Sequence, residues 1–315
     1  MDVLDEARFA ELSERHRREL QVHSYRMLGN LEQAEDAVQE ALLRAWKGRA
    51  LFDGGPGARA WLYRIVTTTC FDLLRAAQRR PEQIESIADV PWIQPCPDAL
   101  LDAAAGPEEA VIRRETVELA YLAVIQLLPA RQRAVLLLRD VQGYSAAETA
   151  EILELSAAAV TSALQRARAT IAGRVTARDG DWSPTGITEA DRTLLAAFIE
   201  AHERQDPVAG LAVIREDIRV AMPPSPGLFT GKDVVAALMA HAYDRAVFGD
   251  WKLLPVSANR MPAAASYLRR AGSDVFLPFK LDVLRTGGGR IAEITTFDAS
   301  LFDRFGLPPR LPAPN

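Results

Sequence analysis

The stretch YSAAETAEILELSAAAVTSALQRARATI, Tyr144 to Ile171, encodes two helices with almost no chain between them. Ser145 followed three residues later by Glu148 is a capping box, in which the hydroxyl takes an amide of the first turn and the carboxylate reaches back to the cap amide. Ser156 starts a second helix after a short turn at Glu154 and Leu155. Two helices joined this tightly make a helix-turn-helix. In the second, Val160, Leu164, Ala167 and Ile171 recur at the spacing of a buried stripe, which leaves Ala158, Thr161, Ser162, Gln165 and Arg166 facing outward. Small hydrogen-bonding residues at the amino end, with arginine further along, suit a helix laid in a DNA major groove. An alanine-rich helical hairpin is equally compatible with plain packing. The cations around it favour DNA: Arg131, Arg133 and Arg139 upstream, and Arg166, Arg168 and Arg174 downstream, are placed to neutralise phosphates.

A second helix is unusual on its outer side. In DAVQEALLRAW, Asp36 to Trp46, the inner stripe is Val38, Ala41, Leu42 and Ala45, closed by Trp46. The other face carries Asp36, Gln39, Glu40 and then Leu43, an acidic patch with an apolar residue attached. Taken alone, such a face is usually just solvated.

The chain has 315 residues, enough for about two domains or a little more. Its net charge of −5 argues against coating nucleic acid by bulk electrostatics, so any nucleic-acid contact must be local. Cys70 and Cys96 are far apart and lack the spacing of a zinc or redox motif, which points to a reduced, cytoplasmic protein with no metal site and no cofactor. The amino terminus is charged throughout, and no apolar run is long enough to span a bilayer, so no membrane association is expected.

Helical periodicity runs from Phe9 to about Arg80, broken at Gly29-Asn30 and by the loop FDGGPGAR, Phe52 to Arg59. Residues 81–107 are rich in proline and acidic residues, contain no basic residue, and read as an extended acidic linker in which Trp92 and Ile93 hint at docking. A second helical segment covers 108–176, a linker 177–188, and an α+β segment 189–303 with a proline-rich tail over 304–315. That last segment opens with a helix over Thr188 to Arg204 and continues with the alternating runs AVIREDIRVAM, FLPFKLDVLR and RIAEITTFD. The last two flank TGGG, a hairpin signal.

Three motifs in this order, DAVQEALLRAW, then WLYRIVTTTCFDLLR from Trp61 to Arg75, then LPARQRAVLLLRDVQGYSAAETAEILELSAAAVTSALQRARATI from Leu128 to Ile171, resemble the extracytoplasmic-function sigma factors of the sigma-70 class. The resemblance implies two all-α modules. The first, over 1–80, meets core RNA polymerase at the beta-prime clamp helices through Asp36, Gln39, Glu40 and Leu43. Trp61, Tyr63, Arg64, Thr68, Phe71 and Arg75 then capture and melt the downstream promoter element, which needs unstacked bases held in pockets and a cationic track for the backbone. The second module, over 108–176, reads the upstream element through Arg139, Thr161, Ser162, Gln165 and Arg166, and the beta flap is implied as a further polymerase contact of the chain. Thr161, Ala163 and Thr68 stand where relatives often carry arginine, lysine or asparagine, so the promoter sequence is not legible. The acidic linker is expected to thread the polymerase channel that later holds RNA, with Asp89, Asp98 and Asp102 as a backbone mimic.

The carboxy-terminal segment resembles the SnoaL-like fold, a curved sheet and helices around a conical cavity with room for a small-molecule ligand. Some such folds are enzymes, but His202, His241, Tyr243, Asp282 and Asp298 show no spacing that demands chemistry, and no catalytic residue is assigned. The resemblance implies instead a domain that tunes the sigma modules in cis, with the MPPSPG loop (Met222, Pro223) and the RTGGGR turn (Gly287, Gly288, Gly289) as contacting edges. The expectation is an alternative sigma factor and not an enzyme. The rivals are a DNA-binding regulator fused to a cyclase or isomerase, and a helix-turn-helix repressor that never meets polymerase.

Overall fold

The computed structural model describes residues 4–52, 57–77, 90–103, 118–175, 187–225 and 227–313. The chain forms two compact units, one of residues 1–84 and 99–180, the other of 85–98 and 181–315.

The first unit is all helical. Asp5 caps α1 (Glu6–Leu28), which ends at Gly29 in the left-handed conformation that a residue without Cβ adopts freely. Asn30 accepts from the Gln33 amide and starts α2 (Leu31–Gly48) directly. The helix α3 (Ala58–Ala77) follows; α4 (Asp98–Ala103) and α5 (Leu119–Gln126) come next. The helix α6 (Ala130–Leu136) continues as a π turn over Leu137–Val141. The pair α7 (Ala146–Leu153) and α8 (Ala157–Val175) is the helix-turn-helix: both bonds of the Ser145–Glu148 capping box form, Ser156 Oγ accepts from the Ala159 amide, and Glu154 makes the turn in the left-handed region.

The two helical segments share one core. Leu20, Val38, Leu62, Tyr63 and Val66 of the amino-terminal helices pack with Leu138, Tyr144 and Ile152 of the second segment. Met27, Cys70 and Leu74 pack with Ala134, Leu137 and Val141. Burying these apolar faces against each other removes more surface from water than either short bundle could alone.

The second unit is α+β. Thr188 and Asp191 form a capping box on α9 (Glu189–Arg204); α10 (Pro207–Ala212) leads into β1 (Ile214–Ala221), β2 (Leu228–Thr230) and α11 (Lys232–Ala242). Four long strands follow: β3 (Asp250–Ala258), β4 (Met261–Arg269), β5 (Val275–Gly287) and β6 (Arg290–Asp298). The sheet order is β2-β1-β6-β5-β4-β3, antiparallel except for the parallel β1–β6 pair, with β7 (Leu311–Pro312) added to β5. Gly287 pairs with Arg290 across the two-residue turn Gly288-Gly289, both at positive φ, as the TGGG signal predicts. Gly249 enters β3 at φ +92, where a Cβ would stand 2.1 Å from the Arg269 carbonyl oxygen. One face of the sheet and α9 and α11 enclose a core of Phe198, Ile218, Val235, Trp251, Leu253 and Leu284 among others.

One expectation needs correction. The linker over 81–107 is not extended throughout: among its described residues 98–103 are helical, and Val90 and Ile93 are buried. Cys96 and Asn259 exchange two hydrogen bonds, Cys96 N to Asn259 Oδ1 at 2.8 Å and Asn259 N to the Cys96 carbonyl at 2.9 Å. Pro97 bridges Ala258, and Asp98 Oδ1 accepts from the Arg260 amide at 2.7 Å. The apolar Trp92-Ile93 pair and the left-handed Asn259-Arg260 turn, whose amides point outward, give this linker segment a seat on the second unit. Within the proline-rich tail, Leu311 and Pro312 pair with Phe276 and Val275.

Candidate polymerase and promoter interfaces

The outer face of α2 is as the sequence reading has it. Asp36, Gln39, Glu40 and Leu43 are exposed, and Leu43 keeps 56% of its surface in contact with water. Glu40 Oε1 accepts from Arg44 Nε at 2.8 Å, and Arg44 also reaches Asp72 at 2.9 Å. The arginine orders one acidic side chain and leaves Asp36 and Leu43 to the surface. The inner stripe, Val38, Ala41, Leu42 and Ala45, is buried. Trp46 is only partly covered, held by Phe9 at a ring distance of 5.2 Å and by Arg49 over its other side.

The helix α3 divides the residues assigned to promoter melting. Arg64, Thr68 and Arg75 are exposed, and Phe71 is half-buried in a groove of about 730 Å³ that Arg75 and Arg131 also line. Trp61 stacks on Phe52 at 4.9 Å; residues 53–56 of the loop before it lie outside the described residues. Thr68 spends its hydroxyl on the Arg64 carbonyl. Arg64 is ion-paired with Glu154 of the helix-turn-helix.

Tyr63 is a correction. It is fully buried, edge-on to Tyr144 at 5.6 Å, with its hydroxyl donating to Glu19 at 3.3 Å, so it supports the helix and does not meet a DNA strand here. The sequence hides this because Tyr63 sits among the inward positions Leu62 and Val66, where its polarity is satisfied by a partner 44 residues away. That partner belongs to a network sequence reasoning missed. Arg59 forks onto Glu19 at 2.7 and 2.9 Å and donates to Gln142 Oε1 at 2.9 Å. Burial alone would push the Glu19 carboxyl up, but Arg59, joined by His16, outweighs it and holds the group below its ordinary value.

In the helix-turn-helix, Val160, Leu164, Ala167 and Ile171 are buried, and Thr161, Ser162, Gln165 and Arg166 are exposed along one side of α8. Arg139 is half-buried and donates to the Tyr144 carbonyl, so it braces the turn. Two other upstream and downstream cations are not free phosphate contacts. Arg133 is 2% exposed and donates to the carbonyls of Met27, Gln126 and Leu128 and to Gln126 Oε1. Burial lowers its pKa to about 9. Arg168 is held bidentate by Asp140 at 2.7 and 2.9 Å. Arg131 and Arg166 remain exposed; the Arg174 side chain and Asp89 lie outside the described residues.

In the second unit a cavity of about 450 Å³ opens between α9, α11 and the sheet. It gathers all five titratable residues singled out in the sequence except that Asp298 also caps the turn after β6. His202 and Tyr243 meet there at 3.0 Å, and Asp282 is paired with Lys280, a residue the sequence reading did not select. Met222 and Pro223 line the same cavity, and Gly287, Gly288 and Gly289 make the β5–β6 turn. Among the described residues there is no cluster of three potential metal ligands and no helix long and apolar enough to cross a membrane.

Comparison with known proteins places these features. Sigma-70 region 2 matches residues 12–80, and Sigma-70 region 4 matches residues 118–171. The ECF RNA polymerase sigma factor SigG of Mycobacterium tuberculosis is 40% identical over 319 aligned residues, covering 96% of this chain and 85% of that protein. SigM of the same organism is 33% identical over 53% of this chain and 77% of its own length. The crystal structure of the M. tuberculosis extracytoplasmic function sigma factor SigJ shares the fold, with a TM-score of 0.62 at 21% identity over 95% of this chain and 99% of that one. With a helical body that matches both sigma-70 regions and a relative that aligns almost end to end, the chain belongs to the extracytoplasmic-function family of RNA polymerase sigma factors.

Proposed function

We propose that the outer face of α2 docks on core RNA polymerase and that α3 and α8 take the downstream and upstream promoter elements, with the carboxy-terminal unit tuning the whole in cis. The observation that carries this reading is the α2 face itself, where Asp36, Gln39, Glu40 and Leu43 stay exposed on a helix whose opposite side is fully packed. An exposed leucine ringed by acids suits a basic partner surface with one apolar contact at its centre. A repressor has no use for such a face, which disfavours that rival. Promoter opening falls to Trp61, Arg64, Thr68, Phe71 and Arg75, and upstream recognition to Thr161, Ser162, Gln165 and Arg166 with Arg139 as a brace.

Tuning in cis is supported by the seat of residues 90–98 on the β3–β4 turn. The segment that joins the two sigma modules is the one the second unit holds. Asp98 is occupied by the Arg260 amide there, so it serves as a backbone mimic in the polymerase channel only after release. The domain works without catalysis in this reading, and the protein acts where polymerase is, in the cytoplasm.

The test is core-polymerase binding by the full chain carrying Asp36→Arg and Glu40→Arg. Charge reversal of two exposed residues leaves the fold intact and is expected to weaken polymerase binding at least tenfold at low salt while promoter-fragment binding is unchanged. Unchanged polymerase affinity removes α2 from the interface.

A further inference from the structure

We infer that the cavity of the second unit is a binding site for a neutral, largely aromatic small molecule whose polar head both donates and accepts a hydrogen bond, a carboxamide being the simplest such head. The cavity's size, about 450 Å³, is in the range that takes a small organic ligand. Its walls are apolar rings and chains: Trp251, Phe248 and Phe279 pack on one another at ring distances of 5.3 to 6.1 Å, and with Phe198 they line the cavity with aromatic surface against which a flat guest ring can pack edge or face.

Set into these walls are the buried polar groups His202, Tyr243 and Asp282, with Lys280 beside them. His202 is 5% exposed, and its Nδ1 lies 3.1 Å from the Phe198 carbonyl oxygen. A carbonyl only accepts, so the geometry assigns the ring proton to Nδ1, which shares it with Tyr243 Oη at 3.0 Å. Two functions are then left for a guest. The Tyr243 hydroxyl keeps its own proton to donate, and His202 Nε2, which bonds nothing among the described residues, is a bare acceptor. Burial keeps the imidazole neutral, lowering its pKa to about 3.

The second polar pair sets the charge of the guest. Asp282 is wholly buried; its Oδ1 accepts from Thr296 at 2.7 Å. Lys280 Nζ stands 2.8 Å from Oδ2 and 5.5 Å from the Trp251 ring centre, and since an ammonium carries three protons, one not directed at the carboxylate is left for a guest carbonyl. The pair is already neutral as a whole. A charged ligand in this apolar space would lose its hydration with no counterion to replace it, whereas a neutral head loses little. A buried ion pair is weak evidence for stability, since a well-packed apolar pair often serves a fold as well, so the convergence of Lys280, Asp282, His202 and Tyr243 on one open cavity points to recognition.

The inference deepens the regulatory reading of this unit but is tested without polymerase, so either can fail alone. Calorimetric titration of the full chain with 2-naphthamide is expected to give one saturable site with Kd of about 0.1 mM. N,N-dimethyl-2-naphthamide, which lacks the donor, and 2-naphthoate, the charged isostere, are each expected to bind about tenfold more weakly. Tyr243→Phe, which keeps the ring, is expected to weaken 2-naphthamide about threefold to tenfold. Leu238→Trp, which fills the half-buried cavity edge, is expected to abolish it, with circular dichroism confirming that both variants fold. No saturable binding of the amide, binding indifferent to both variants, or tighter binding of the naphthoate each overturns the inference.

Discussion

The stability of the second unit should fall steeply in mild acid because of one side chain. Burial, reinforced by the nearby Lys280 charge and opposed by Asp282, lowers the His202 pKa from 6.5 to about 3. A base whose folded pKa is depressed takes up its proton more readily unfolded, so its contribution to stability is intact above the unfolded pKa of 6.5 and drains away as pH falls from there toward 3. The difference follows RT ln[(1 + 10^(6.5−pH))/(1 + 10^(3−pH))], which is about 0.1 kcal/mol at pH 7.5 and about 2 kcal/mol at pH 5. Between those values the unit loses about 2 kcal/mol from His202 alone, with a limiting slope of about 1.4 kcal/mol per pH unit. His202→Leu removes the titration while keeping an apolar side chain in the same place. Hydrogen exchange followed by mass spectrometry on peptides from β3 to β6 reads this unit separately from the helical one. The wild type should lose about 2 kcal/mol more protection than the variant on going from pH 7.5 to 5. Identical pH dependence in the two proteins would refute the claim that His202 is buried in its neutral form.

Other outcomes follow from single contacts. Arg133→Leu strips hydrogen bonds from three backbone carbonyls that join α1 to the α5–α6 corner, and should destabilise the helical unit by about 3 kcal/mol or more in urea unfolding. Asn259→Ala removes the side-chain acceptor of the Cys96 amide, leaving the backbone bond from residue 259 to the Cys96 carbonyl, and places a residue of poorer left-handed tolerance at φ 55; protease cleavage within residues 90–98 should accelerate by at least tenfold, while a rate equal to wild type would deny the clasp. Phe71→Ala should leave polymerase binding intact and depress open-complex formation on duplex promoters, with a pre-melted promoter restoring activity. Arg166→Ala should lower the slope of log affinity against log salt by about 1 for an upstream-element duplex, whereas Arg168→Ala, its charge already taken by Asp140, should lower it by less.

What the sequence determined alone was whatever depends on neighbours along the chain. The helix-turn-helix was legible because its caps, its turn and its inner stripe all lie within 28 residues, and each is a local preference of backbone or periodicity. The α2 face and the TGGG hairpin were legible for the same reason. Tertiary structure decided the rest. Tyr63 and Arg133 carry polar groups that a linear reading places at the surface; they are buried because partners 44 and 106 residues away satisfy them. Strands β3 and β4 escaped notice because β4, buried along nearly its whole length, has no alternation to read, and the Lys280–Asp282 pair gained meaning only when the sheet set it beside His202 and Tyr243. The linker shows both sides at once. Composition marked residues 81–107 as acidic and proline-rich, but the seat of residues 90–98 depends on a left-handed turn more than 150 residues later, and only folding brings a donor so distant to the acceptor it needs.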